Sequence, residues 1–230
     1  MNKATLSGDI IASTSMSVDE RILLMDHLKT LFAQMEQKYN FYGRVIKGDY
    51  IECFIDQPQL ALRIALIIKC FIKSISGNTG ESDKENIESR DKYFKIYGIR
   101  IAIGIGEIEK FDRENGIVEG EAISYSGRII SSENTTHSTD RVVIKNTLFI
   151  QTANEEWNKE FEATLMLIDT IIANNTSNQC KILMEKLLGE NEEQIAVKLN
   201  ISQSAVNQRS KSGAWNAIEK AVARFESVIN

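Results

Sequence analysis

The sequence contains little of what stabilises small secreted or metal-bound proteins. Its 230 residues include one proline, three cysteines and two histidines. The single proline argues against disordered linkers. Cys53, Cys70 and Cys180 are too few for a disulfide framework and have no zinc-site spacing, so we expect all three to be small buried apolar side chains. His27 and His137 are too isolated for a metal cluster, which predicts surface or boundary positions for both.

Long apolar runs are also absent. No stretch approaches the roughly 20 uncharged apolar residues of a membrane-spanning helix. The start, MNKATLSGDII, lacks the basic and apolar regions of a signal peptide. We therefore expect a cytoplasmic protein with no membrane partner. With 43% hydrophobic and 26% charged residues, the chain is long enough for one large or two small domains.

Acidic residues are concentrated in the larger N-terminal part. From Cys180 to the end there are seven Lys/Arg against six Asp/Glu, which leaves 20 against 26 for residues 1–179. The net charge of −5 therefore does not describe the tail, which is close to neutral. A local basic face near Arg209 and Lys211 is compatible with a nucleic-acid partner.

The first 150 residues alternate between helix-like and strand-like patterns. Apolar residues at three- and four-residue spacings predict helices over 18–39, 60–75 and 121–132. Alternating or β-branched runs predict strands over 5–12, 42–46, 50–55, 96–108 and 141–144. Polar residues 76–92 lack periodicity and predict a mobile surface loop. The element order predicts an α/β (α+β) fold, a ferredoxin-like sandwich with helices packed on one sheet.

The end of the chain has a different character. Helical apolar spacing over 181–188, 192–199, 202–210 and 215–229 predicts a small all-α domain. We therefore divide the chain into an α/β domain (1–150), a connecting segment (151–178) whose strand content the pattern does not define, and a helical domain (179–230).

The segment 192–211, EEQIAVKLNISQSAVNQRSK, predicts a helix-turn-helix. Ile195 and Ala196 supply the apolar and small residues that let a second helix cross the first. Asn200 stands where the turn needs a left-handed backbone, which asparagine tolerates. Ser202 then caps the second helix. The stretch resembles the helix-turn-helix domains of bacterial regulators.

A second helix in this position exposes polar side chains suited to a DNA major groove. Asn and Gln match adenine, and Ser is adaptable. Such motifs usually bury an apolar residue where this chain has Arg209, which therefore either contacts phosphate together with Lys211 or indicates a tilted helix. The candidate DNA-contacting residues are Ser202, Gln203, Ser204, Asn207, Gln208, Arg209 and Lys211. The alternative is a helical bundle whose polar face is merely solvated.

Two aspartates in the first half predict a divalent-cation site. Asp9 ends the first strand, and Asp49 lies in a tight hairpin turn with Lys47 and Gly48. Carboxylates at these two places can converge on a cation whose remaining positions are filled by the phosphates of a nucleotide. The alternative is that each aspartate is only a turn residue.

The same arrangement resembles the class III nucleotidyl cyclases over roughly residues 4–145. In these enzymes a Gly-Asp pair precedes a helix that carries an Asn and, four residues later, an Arg, and the segment GEAISYSGRII (120–130) is similar. The resemblance implies Mg²⁺ or Mn²⁺ at Asp9 and Asp49. It also implies a catalytic, transition-state role for Arg128.

The match to the cyclase pattern is incomplete. Ser124 holds the asparagine position, while Val45 and Ile117 hold those of the purine-recognising lysine and its partner aspartate. Cyclase chemistry needs base recognition, metal-bound phosphates and charge stabilisation together, so the resemblance leaves enzyme activity uncertain. Arg44 and Lys47 lie near the lysine position but out of register, and with Ser124 they are the candidate nucleotide-binding residues.

A degenerate cyclase-like domain followed by a helix-turn-helix resembles the SatD family. The leading hypothesis is a DNA-binding transcriptional regulator whose cyclase-like domain serves nucleotide or ligand sensing or dimerisation. The rival is an active metal-dependent nucleotidyl cyclase, or a related phosphotransfer enzyme, with a regulatory helical tail. A third is a dimerisation scaffold without a ligand. Both halves favour a homodimer, because one recognition helix makes too few DNA contacts and class III cyclase folds dimerise head to tail.

Overall fold

The computed structural model describes residues 2–11, 16–46, 48–76, 94–96, 98–133 and 146–230. Four sequence-based predictions lie outside these residues. They are Lys47 as a nucleotide contact, the surface or boundary position of His137, the strand at 141–144, and all but the first residue of the loop at 76–92. Among the described residues, no helix is both long and apolar enough to cross a membrane.

The strands form one mixed sheet and one separate hairpin. They are β1 (Lys3–Ile10), β2 (Phe41–Ile46), β3 (Tyr50–Ile55), β4 (Ile99–Gly106), β5 (Ile108–Asp112), β6 (Ile117–Gly120) and β7 (Leu148–Thr152). The five-stranded sheet has the order β2-β3-β1-β4-β7, in which β4 and β7 run parallel and the other neighbours antiparallel. β5 and β6 pair only with each other.

The helices confirm the predicted α/β fold class. They are α1 (Val18–Tyr39), α2 (Ala61–Ser76), α3 (Glu121–Glu133), α4 (Glu155–Asn174), α5 (Ser177–Leu187), α6 (Glu192–Leu199), α7 (Gln203–Ser212) and α8 (Trp215–Val228). A capping box fixes the start of α1, where Ser17 Oγ accepts a hydrogen bond from Glu20 N and the Glu20 carboxylate accepts one from Ser17 N.

One predicted strand differs from the structure. The run 96–108 was expected to form a single strand, but β4 ends at Gly106 and residue 108 begins the β5–β6 hairpin. Residues 94–96 are helical. The last part of β4 packs closely on α3, since a Cβ at Gly104 would lie 2.0 Å from the Ala122 carbonyl oxygen and one at Gly106 2.9 Å from Cβ of Glu121.

The two faces of the sheet differ in chemistry because side chains alternate along each strand. The apolar face of β1, β3 and β4 joins the main core with α1 and α2; its members include Leu6, Ile51, Cys53, Ile101 and Ile103. The opposite face carries Thr5, Ser7 and Asp9 of β1. Here α3 packs closely, and Ser126 Oγ lies 3.0 Å from Thr5 Oγ1 and 2.8 Å from Ser7 Oγ.

The main core continues without interruption into the C-terminal helices. Side chains of α4, α5 and α8 belong to the same buried cluster as α1, α2 and the sheet; they include Phe161, Leu165, Ile172, Cys180, Leu183, Val222 and Phe225. The predicted division at 150 and 178 is therefore not marked by a break in the core. Segment 151–178, treated above as a connector, contains the end of β7 and the core helix α4.

A buried ion pair ties these parts together. Lys69 of α2 and Asp169 of α4 are 0% and 3% exposed, with 2.9 Å between Nζ and Oδ1. Lys69 Nζ also donates to the Ile99 carbonyl at 2.9 Å and to Thr147 Oγ1 at 2.6 Å. Asp169 in turn accepts from Thr147 N and Oγ1. These bonds compensate the desolvation of both charges.

The free edge of β7 is capped by side chains. Ile101 N donates to the Thr147 carbonyl. In β7 the backbone N–H and C=O groups that point away from β4 therefore belong to Leu148, Ile150 and Thr152. Asn146 bonds both the N–H and the C=O of Leu148, and Asn158 does the same for Thr152. In the described part of the chain, Ile150 is the open position between them.

A small second cluster lies at the tip of the helical part. Ile182 of α5, Ile195 of α6 and Val206 of α7 are fully buried against one another. The turn between α6 and α7 contains Asn200 in the left-handed region, with φ 51° and ψ 49°, and Ser202 as N-cap. The three cysteines are free and buried, which confirms their assignment as apolar side chains.

Candidate functional site

Asp9 and Asp49 lie at the same end of the sheet. Asp9 pairs with Tyr50 in the β1–β3 register, and the carbonyl of Asp49 accepts a hydrogen bond of 2.9 Å from Ile10 N. Gly48, with φ 85°, allows the tight turn that returns Asp49 to the end of β1. The hairpin therefore brings the two carboxylates close enough to interact electrostatically.

The electrostatics of Asp9 are those of a buried carboxylate with incomplete compensation. Burial raises its pKa, the Arg100 guanidinium lowers it, and the negative charge of Asp49 raises it again. Arg100 Nε lies 3.8 Å from Asp9 Oδ1. Oδ1 is buried and makes no hydrogen bond within the described residues, which is costly for a carboxylate oxygen.

These two aspartates fit a divalent cation as carboxylate ligands. A cation between them would neutralise their repulsion and supply the partner that Asp9 Oδ1 lacks. The described ranges contain no group of three or more His, Cys, Asp or Glu residues able to hold a metal, either here or elsewhere. The remaining ligands would have to come from a bound phosphate or from water.

Arg100 is a site residue that the sequence analysis missed. It is the single charge in the apolar run IRIAIGIG of β4, opposite Asp9 in the β1–β4 register. A lone charge in a central strand was the available signal, because such a residue needs a partner on the polar face of the sheet.

Arg44 is engaged within the sheet. Its Nε and Nη2 donate to Glu52 Oε1 at 3.0 and 2.5 Å, in the β2–β3 register where the two residues lie opposite. Gly116 of the β5–β6 hairpin lies against its guanidinium. Phe111 of the same hairpin stacks on Phe54, with 4.1 Å between ring centroids. The hairpin thus covers this part of the polar face.

Ser124 and Arg128 lie away from the aspartates of their own chain. Ser126 faces the sheet, and residues two positions away on a helix are rotated by about 200°. Both side chains are accordingly exposed, and Ser124 Oγ donates to the Gly120 carbonyl at 3.0 Å. Arg128 therefore points away from the sheet face that carries Asp9.

The α7 helix presents a polar stripe on the side opposite Val206. Residues 203, 207 and 211, with 204 and 208, share one helical face. The side chains of Gln203, Ser204, Gln208 and Lys211 are exposed, and those of Asn207 and Arg209 are half-buried. Ser202 Oγ accepts from Ala205 N at 3.2 Å and lies 3.0 Å from Ser204 Oγ.

Asn207 is held by a network that sequence reasoning missed. Its Nδ2 donates to Glu192 Oε1 and Oε2 at 3.4 and 3.3 Å. Glu192 Oε1 also accepts from Lys186 Nζ at 3.0 Å. Lys186 lies over the Trp215 ring, 5.6 Å from its centroid. The four residues come from four different helices, so no local sequence pattern predicts the network.

Comparison with known proteins returns structures but no sequence family. No family model and no curated protein match the chain. It is similar to a bacterial light-regulated adenylyl cyclase, with a TM-score of 0.44 and 14% identity over 70% of this chain and 79% of that one. A second structure of a bacterial light-regulated adenylyl cyclase has a TM-score of 0.43 and 14% identity, over 65% of this chain and 42% of that one. The guanylyl cyclase Cya2 has a TM-score of 0.38 and 14% identity, over 57% of this chain and 70% of that one. All three are nucleotidyl cyclases.

Proposed function

We propose that the protein is a DNA-binding transcriptional regulator that inserts α7 into the major groove. The observation that carries this proposal is the exposed polar stripe of α7, fixed by the Asn200 turn and the Ser202 cap opposite a fully buried cluster. A merely solvated bundle helix has no need of this combination of turn, cap and buried side chains.

The rest of the chain serves this function in the proposal. The cyclase-like part senses a nucleotide or another ligand, or joins two copies as a cytoplasmic homodimer. Two-fold pairing would present two α7 helices and so double the number of base and phosphate contacts.

Selection from a random pool of DNA duplexes at low salt tests the proposal. Wild-type protein should enrich a sequence. Gln203→Ala should reduce the preference for that sequence while leaving nonspecific binding nearly intact. Lys211→Ala should weaken binding to all sequences equally. It should also reduce the slope of log affinity against log salt concentration by about 1.

A matched control is Lys29→Ala on α1, which removes the same charge from an exposed side chain and should change neither quantity. If wild-type protein enriches no sequence, α6 and α7 are instead a protein-contact module, and the regulator proposal fails.

A second candidate function is favoured by the buried, hydrogen-bond-deficient Oδ1 of Asp9. Here Asp9 and Asp49 hold Mg²⁺ or Mn²⁺ with the phosphates of a nucleotide, and the metal would neutralise phosphate charge. Arg100 lowers the pKa of Asp9 and so opposes the larger effect of burial. The chain would then be a metal-dependent nucleotidyl cyclase or a related phosphotransfer enzyme, with Ser124 and Arg128 supplied by a second copy.

Calorimetric titration with Mn²⁺ and a panel of nucleoside triphosphates tests this candidate. Asp9→Asn and Asp49→Ala should each abolish Mn²⁺-dependent binding, whereas Asp26→Asn on the exposed face of α1 should leave it unchanged. Unchanged titrations in both site variants would leave the aspartates as turn residues. A cyclic product formed by wild type but not by Asp49→Ala would place the enzyme ahead of the regulator.

A further inference from the structure

We propose that Glu192 sets the base preference of α7 by fixing the orientation of the Asn207 carboxamide, so that Asn207 reads adenine. This inference rests on the DNA-binding function proposed above. It assigns Glu192 as a positioning residue, since its carboxylate acts through Asn207 and does not itself reach the DNA in this scheme.

The carboxylate of Glu192 is fixed from two sides. Glu192 is the first residue of α6, directly after the N-cap Asn191, and its side chain is 25% exposed. Lys186 Nζ donates to Oε1, and Asn207 Nδ2 lies within reach of both oxygens. The hydrogen bond from Lys186 lowers the pKa of Glu192, and the hydrogen bond from Asn207 lowers it further by a smaller amount. The group is therefore ionised at neutral pH.

An ionised carboxylate accepts hydrogen bonds and donates none. Asn207 must therefore turn its NH₂ group, not its carbonyl oxygen, toward Glu192. Without such a neighbour an exposed carboxamide is free to flip, because its two ends are nearly equal in shape. Glu192 thus removes one of the two orientations.

The fixed orientation leaves a specific pair of groups for DNA. One N–H of Asn207 is used by Glu192, while the second N–H and Oδ1 stand side by side. A donor next to an acceptor matches N7 and N6–H₂ of adenine in the major groove. The flipped amide would present the two groups in reverse order and lose this match.

Lys186 makes the arrangement compatible with DNA. A bare carboxylate beside the reading face would repel phosphates. Lys186, whose side chain is only 13% exposed, neutralises it and is itself held over the Trp215 ring. The charge of Glu192 is therefore compensated inside the protein before DNA arrives.

The test is random-duplex selection with Glu192→Gln in the full-length protein. Glutamine keeps the size of the side chain but offers both a donor and an acceptor, so it no longer dictates the Asn207 orientation. We expect wild type to prefer adenine at one operator position by roughly tenfold or more, as one bidentate contact provides. The variant should lose most of that preference and keep the preferences at the other positions.

Three further variants complete the test. Asn207→Ala should lose the preference at the same position, and the double variant should lose no more than Asn207→Ala alone, because both changes remove one contact. Glu193→Gln removes the same charge from the adjacent exposed residue and should leave the preference unchanged. If Glu192 had only a structural role, Glu192→Gln would weaken binding to all sequences equally and lower the melting temperature of the protein.

The outcomes separate this inference from the DNA-binding proposal. The inference is wrong, while DNA binding stands, if the protein enriches an operator in which no adenine preference depends on Asn207. It is also wrong if Glu192→Gln keeps the adenine preference. No enrichment of any sequence by wild-type protein overturns both.

Discussion

Two lysines one turn apart in α2 have different buried environments. Lys69 pairs with Asp169, whereas Lys73 Nζ donates to the carbonyls of Ile96, at 2.7 Å, and Ala173. Burial lowers the pKa of Lys73 from 10.5 to about 8. These carbonyls belong to a short helical turn and to the end of α4, so one ammonium group joins three segments.

The lowered pKa of Lys73 predicts a pH dependence of stability. Between about pH 8 and 10.5 the unfolded chain holds a proton on Lys73 that the folded chain has released. The contribution of Lys73 to the free energy of unfolding therefore rises with pH across this window and is least favourable below it. Urea midpoints of wild type and Lys73→Met, measured from pH 7 to 10, should show wild type gaining relative to the variant.

The buried thiols also affect the pH dependence of stability in this range, so the comparison with Lys73→Met at each pH is essential. Burial raises the pKa of Cys53, and this effect is common to both proteins and cancels. Cys70 and Cys180 interact electrostatically with Lys73, so both proteins carry Cys70→Ala and Cys180→Ala in this comparison. A difference between wild type and variant that stays constant from pH 7 to 10 would contradict the prediction.

Breaking the buried ion pair should be more harmful than removing it. Asp169→Asn leaves the Lys69 ammonium buried without its carboxylate, and should destabilise the protein by about 3–5 kcal/mol. The apolar pair Lys69→Met with Asp169→Leu should recover most of that loss. Urea denaturation measures both, and a double variant no more stable than Asp169→Asn would show that the pair itself is worth more than its desolvation cost.

At the scale of elements, β7 shows how the edge strand of the described sheet is kept from pairing with another chain. Asn146 and Asn158 occupy the outward backbone groups of Leu148 and Thr152. A sheet edge with free backbone groups is a template for aggregation. The two amides shorten the available edge to a single residue, Ile150, in the part of the chain described here.

Removing both amides should therefore promote aggregation. We expect Asn146→Ala with Asn158→Ala to scatter more light and bind more thioflavin T on prolonged incubation than wild type. The control, Asn174→Ala, removes an exposed amide that bonds only the Thr170 carbonyl of its own helix. Equal aggregation of the double variant and this control would show that the caps do not protect the edge.

Local signals explain which elements the sequence predicts well. The start of α1 at Ser17, the hairpin around Gly48 and the turn at Asn200 each depend on hydrogen bonds or backbone angles within four residues. Such features are encoded in short stretches, so their positions in the structure follow the pattern closely.

Contacts between distant residues explain what the pattern does not predict. The β5–β6 hairpin packs on the sheet through the stacking of Phe111 on Phe54. The α4 helix is a core helix because it packs against the sheet, α2 and α8. The proximity of Asp9 and Asp49 was predictable from one strand and one turn. The contact of Glu192 with Asn207 was not, because tertiary packing alone brings α6 and α7 side chains to that distance.

For the whole molecule, the continuous core predicts one cooperative unfolding transition. Phe225 of α8 is fully buried against Phe161 of α4, with 4.8 Å between ring centroids. Phe225→Ala should cost about 3–5 kcal/mol and lower a single melting transition. Fluorescence of Trp157 and Trp215, which reports the helical part, should coincide with far-ultraviolet circular dichroism, which reports the whole chain. An earlier fluorescence transition would instead show that the helical part unfolds independently.

The α5 helix belongs to both clusters, because Leu183 lies in the main core and Ile182 packs against α6 and α7. Turning α7 relative to the sheet would require one of these packed faces to separate, so the described residues show no flexible joint between the two clusters. In the regulator proposed above, a signal received by the sheet would therefore not act by rotating α7 on a flexible joint. In that proposal the signal would instead change how two copies of the chain pack together, with the sheet and α7 of each copy moving as one unit.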